Sequence, residues 1–83
     1  MTKLPILSSK QVIKALRKAG FTDAPRRGKG SHIALVKRSH KDTRLVIIPG
    51  RKTLPRGTLR GILEQAGLTR EEFLNFLSGK YTS

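Results

Sequence analysis

Hydrophobic residues recur at helical spacing near the N-terminus, gather into aliphatic runs in the middle of the chain, and return to helical spacing in the last third. Val12, Ile13, Leu16 and Ala19 recur at helical spacing, with Lys10, Lys14, Arg17 and Lys18 on the other faces, as in an amphipathic helix. Ser8 and Gln11 form a capping box, in which each side chain can satisfy the other residue's backbone N–H, and Leu7 and Val12 are placed to staple the helix start. Gly20 suits a left-handed C-terminal cap, so the spacing predicts a helix over 9–19. Residues 31–38 carry Ile33, Leu35 and Val36, and residues 43–49 contain Leu45-Val46-Ile47-Ile48, the most β-prone stretch. The polar Ser39-His40-Lys41-Asp42 between them is a turn, and so short a connection favours an antiparallel hairpin. Residues 21–27 are ambiguous; if they form a strand it is an edge strand, because Pro25 has no N–H to give a ladder. Gly28-Lys29-Gly30 reads as a turn. After the basic loop Gly50-Arg51-Lys52-Thr53-Leu54, Pro55 opens a second helix striped by Leu59, Ile62, Leu63 and Ala66 and closed by Gly67. Gly57 and Gly61 weaken it by up to about 1 kcal/mol each, and Gly61 suits close packing on a sheet. Thr69-Arg70-Glu71-Glu72 is a second capping box, stapled by Leu68 and Phe73, and Phe73, Leu74 and Leu77 form the inner face of a short last helix.

The predicted architecture is α+β: an α-β-β-β-α order with an extra C-terminal helix, and a three-stranded antiparallel sheet with helices on one face. The other face must meet solvent or a partner. Eighty-three residues make one domain, 1–83, with its core at about 7–77 and short tails on either side. A chain of this size buries only about 60–65% of its unfolded surface, so the core is thin. Hydrophobic residues at 36% and charged residues at 28% exclude disorder and collagen-like repeats. The absence of Cys excludes a disulfide scaffold, a thiolate metal site and a cysteine nucleophile. No apolar run reaches the roughly 18 residues of a membrane span, and Met1 to Leu7, broken by Pro5, is too short for a signal peptide, so a cytoplasmic protein is expected.

Charge narrows the choice of partner. The formal net charge is +13, and it is unevenly placed. Residues 1–63 hold sixteen of the eighteen Lys and Arg against Asp23 and Asp42; residues 64–83 hold Arg70 and Lys80 against Glu64, Glu71 and Glu72. The positive field therefore belongs to the first three quarters of the chain and points to a polyanionic partner. No basic amphipathic helix with aromatic residues on its apolar face argues for a membrane. The predicted order on so basic a chain is similar to the double-stranded-RNA-binding fold.

Few residues can carry chemistry. With Asp23 and Asp42 the only acids in the basic region, neither paired-carboxylate catalysis nor a two-metal nuclease site is expected, and neither a phosphate loop of the Walker type nor a serine triad motif is present. Gly28-Lys29-Gly30-Ser31-His32 remains. Glycines let the backbone approach a phosphate, Lys29 adds charge, and His32 can take or give a proton near neutral pH. A base that removes a ribose 2′-OH proton lets that oxygen attack the adjacent phosphorus, with cations stabilising the added charge. By itself the motif is weak; a lone strand histidine is usually a surface residue without a role.

Three segments together resemble the HicA toxin family, the small mRNA-cleaving partners of HicB antitoxins. They are Ser9 to Phe21, similar to the family's opening helix ending in Ala-Gly-Phe; Gly30-Ser31-His32; and Leu54 to Thr69, close to the family's P-x-G-T-L-x-x-I-L-x-Q-A-G-L segment. The resemblance spans about residues 7–77. It implies a double-stranded-RNA-binding-like fold, metal-independent mRNA cleavage without a cofactor, one catalytic histidine carried over to His32, and inhibition by a HicB-like protein whose loss arrests growth. Many members have two adjacent histidines after Gly-Ser, whereas Ile33 follows His32 here. Lys29 and Ser31 are candidates for binding phosphate or orienting His32, and Arg26, Arg27, Lys37, Arg38 and Arg44 for an RNA track. Arg51 and Lys52 are candidates for phosphate contact before the second helix. Lys29 and Ser31 serve equally well as plain turn residues, and the five track candidates require an outward orientation and otherwise only solubilise. His40 is a minor candidate, and Phe21, Phe73 and Phe76 read as core or boundary residues, not stacking platforms. Two alternatives stay open: a non-catalytic RNA-binding module, and an interaction protein whose basic face serves only an acidic partner.

Overall fold

The computed structural model describes residues 5–24 and 32–78. Helix α1 spans Ser9–Lys18 and opens on the expected capping box: the Ser8 hydroxyl accepts the Gln11 N–H, and Gln11 Oε1 accepts the Ser8 N–H at 2.9 Å. It ends where Gly20 takes φ +104°, with the Gly20 N–H donating to Arg17 O and the Phe21 N–H to Leu16 O, both at 3.0 Å. Those two bonds satisfy carbonyls the last turn leaves open and turn Phe21 into the core. Strand β1, Thr22–Asp23, pairs with β2, His32–Arg38, which pairs in turn with β3, Thr43–Pro49, all antiparallel in the order β1-β2-β3. The segment over 21–27 is thus a short edge strand as far as it is described, and Pro25 and the Gly28-Lys29-Gly30 turn lie outside the described residues. Helix α2, Arg56–Ala66, begins after Pro55 and repeats the glycine ending at Gly67, φ +71°. Helix α3, Arg70–Leu77, opens on the Thr69–Glu72 capping box. The predicted α+β order and antiparallel sheet are those observed.

The core follows from strand alternation. Leu35, Val46 and Ile48 share one sheet face and are fully buried against Val12 and Leu16 of α1, Leu59 and Ile62 of α2, and Phe73 of α3. All three helices contribute to this one cluster. Gly61 departs from expectation. A Cβ placed there would meet no described atom within 4 Å, so helix–sheet packing does not require a glycine at this position. The free edge of β3 is blunted: the outward Ile47 N–H donates to Gln65 Oε1 at 3.2 Å, and Pro49 has no N–H to offer. No helix among the described residues is long and apolar enough to cross a membrane.

Candidate active site at one end of the sheet

The antiparallel topology gives the sheet two chemically different ends. At one stand His32, first residue of β2, and Pro49, last of β3, directly opposite in register. The N-termini of α1 and α2 lie at the same end, because Ser9 binds Arg51 and Leu54 bridges to Leu7. At the other end are the β2–β3 turn and the C-termini of α1 and α2. The six residue steps along β2 separate the two ends by about 20 Å.

The far end consumes cations. Lys37 Nζ donates to Ala19 O at the α1 C-terminus, at 2.8 Å, and stands 5.9 Å from the centre of the Phe21 ring. The Arg44 guanidinium lies against Gly67, where a Cβ would come within 2.6 Å of its Cζ, and pairs with Asp42 at 3.5 Å. Positive charge at a helix C-terminus meets the negative end of the helix dipole. Lys37 and Arg44 have the strand parity of the core residues Leu35 and Val46, so both serve the helix side of the sheet and do not line a track with His32. Arg38 shares His32's parity but sits at the far end, beside Thr22 and Asp23. His40, in the turn, is equally remote. Asp23 is engaged by Arg17 at 2.7 Å.

The His32 end holds three exposed cations with no ion-pair partner among the described residues. His32 is exposed, and strand alternation puts it on the opposite face from Ile33. Arg51 and Lys52 follow β3 directly and are exposed, as is Lys10 in the first turn of α1; none of the three is in an ion pair among the described residues. Of the residues singled out by sequence, the structure therefore brings together His32, Arg51 and Lys52, and sends Lys37, Arg38 and Arg44 elsewhere. Lys29, Ser31, Arg26 and Arg27 lie outside the described residues.

Ser9 organises this end, and sequence reasoning missed it. Only 5% exposed, its hydroxyl donates to Pro49 O and accepts the Arg51 N–H at 2.7 Å, while its own N–H donates to Arg51 O at 3.0 Å. Both backbone groups of Arg51 are thus held by one residue, which fixes the basic loop against α1. Ser9→Ala is expected to lower stability by about 2–3 kcal/mol, since it leaves the Arg51 N–H and the Pro49 carbonyl without their partner in a part-buried setting. Urea denaturation followed by circular dichroism checks this.

Two helix N-termini and three cations unpaired among the described residues favour negative charge at this end, where the His32 imidazole is also exposed. Among the described residues no three His, Asp or Glu side chains come together as a metal site would need. No curated protein matches the chain. Residues 9–68 match the family model of the HicA toxin of bacterial toxin–antitoxin systems.

Proposed function

The chain belongs to the HicA toxin family, and from that premise we propose that it is a metal-independent endoribonuclease that cleaves mRNA in the cytoplasm, with His32 as its base, and that a HicB-like antitoxin inhibits it. The observation that carries this reading is the exposed His32 imidazole at the end of the sheet where Lys10, Arg51 and Lys52 stand unpaired among the described residues. In the proposed reaction His32 takes the 2′-OH proton, the 2′ oxygen bonds to the adjacent phosphorus, and the bond from phosphorus to the 5′ oxygen breaks, that oxygen taking a proton from solvent. The products are a 2′,3′-cyclic phosphate and a 5′-hydroxyl. The cations offset the charge that builds on the phosphoryl oxygens. Lys29 and Ser31 join them as candidate phosphate contacts through the motif, as do Arg26 and Arg27 through their charge.

An acidic antitoxin surface covering His32 and neutralising the same cations accounts for inhibition, and association is then fast and salt-sensitive. The test is cleavage of an RNA oligonucleotide by the purified chain, with and without EDTA, read by gel and mass spectrometry. Cleavage unchanged by EDTA and fragments carrying cyclic phosphate are expected. Loss of activity in EDTA would overturn metal independence. RNA left intact under all conditions would reduce the chain to a binding module.

A further inference from the structure

Beside His32, on the helix side of the sheet, lies a groove of about 480 Å³ between α1 and the loop after β3. Its floor is Ile13 and Ile33, and its walls are Ser9, Lys10, Arg51 and Lys52. That volume falls in the range of roughly 300–1,000 Å³ typical of small-ligand sites. Ile33 is 38% exposed here, one of few large hydrophobic side chains left so open among the described residues. The groove thus combines an apolar floor with a cationic rim whose charges no described acid neutralises.

We propose that this groove seats one unpaired nucleotide of the RNA substrate, its base on Ile13 and Ile33 and its flanking phosphates on Lys10, Arg51 and Lys52. This rests on the ribonuclease reading and names its substrate class as single-stranded RNA. A base inside a duplex is stacked on both faces and cannot enter; a splayed base can. Ile33 of the groove and His32 are consecutive, about 3.3 Å apart along β2 but on opposite faces, so a nucleotide on Ile33 leaves the next one to round the end of the sheet toward the imidazole. The Ser9 clamp on Arg51 holds the rim in place before RNA arrives.

The experiment uses the full chain carrying His32→Ala, which binds without cutting, and measures by fluorescence anisotropy its affinity for a short single-stranded RNA and for the same sequence as a duplex. Ile33→Glu, at a position already exposed, is expected to weaken single-strand binding about tenfold or more, as expected for losing apolar contact and repelling phosphate, and to change duplex binding less than about twofold. Lys10→Gln with Lys52→Gln, both at exposed sites, should reduce the salt slope of single-strand binding by about 1.4, or 0.7 per lost phosphate contact. Equal weakening of both RNAs, or none, overturns the groove assignment. So does an Ile33→Glu chain that loses antitoxin but keeps RNA, which would make the groove a protein-docking site. These results leave the ribonuclease reading standing as long as the parent chain cleaves RNA. A parent chain that neither cuts nor binds RNA overturns both.

Discussion

Replacing His32 with alanine is expected to abolish RNA cleavage and toxicity while leaving the fold and RNA affinity nearly intact. A positioned general base contributes about 10²–10⁴ in rate, and no second imidazole can stand in, because His40 lies in the β2–β3 turn, about 20 Å away. The two acids of the basic region offer no substitute either: Asp23 is paired with Arg17 and Asp42 with Arg44, at the far end of the sheet. The His32 side chain is exposed and belongs to no buried network among the described residues, so the substitution should change stability by less than about 0.5 kcal/mol. Growth after induction, total RNA integrity and a thermal melt of the purified variant together check the prediction. Cleavage retained at wild-type rate would remove His32 from the chemistry. Loss of cleavage together with a lowered melting temperature would show that the residue acts through the fold.

Local chemistry was legible in the sequence wherever partners lie a few residues apart. Both capping boxes, both glycine helix ends and the bounds of β3 follow from residues within one turn or one strand. The sorting of the cations was only partly legible. Lys37 and Arg44 looked like members of an RNA track because they are basic residues in strands. Their parity with Leu35 and Val46 was the available sign that they face the helices; Lys37 donates to the end of α1, and Arg44 lies against Gly67 at the end of α2. The Ser9 clamp could not be read at all. Its partners Pro49 and Arg51 are 40 and 42 residues away in sequence, and a serine following a capping serine looks like any first-turn polar residue. The same distance hid the groove, which joins Ile13 of α1 to Ile33 of β2 and whose rim comes from the first turn of α1 and the loop after β3.

The departure at position 33 gains meaning from strand geometry. His32 and Ile33 face opposite sides of the sheet, so two adjacent histidines in a relative would address two different surfaces. In this chain the helix-side surface is apolar at its base and cationic at its edge. On the proposed reading, one end of the sheet would keep the proton-transfer group on one face and the seat for substrate on the other.

Phe73→Ala is expected to be among the most destabilising single changes outside the sheet, at about 3–5 kcal/mol. Phe73 is the one fully buried side chain of α3; Leu74, Phe76 and Leu77 are only partly buried against the core. Deleting its ring removes the largest α3 side chain from the cluster that α3 shares with α1, and α1 carries the Ser9 clamp in its first turn. A domain this small has a total stability near the lower end of about 5–15 kcal/mol, so the loss consumes a large share of it. The melting temperature should fall by about 15–30 °C, measured by circular dichroism. The matched family segment ends at residue 68, before α3 begins, which makes the outcome informative about this helix. A loss below about 1 kcal/mol would mark α3 as an appendage that the rest of the domain does not need. The expected loss makes α3 part of the frame that keeps α1, and through it Arg51, in place beside His32.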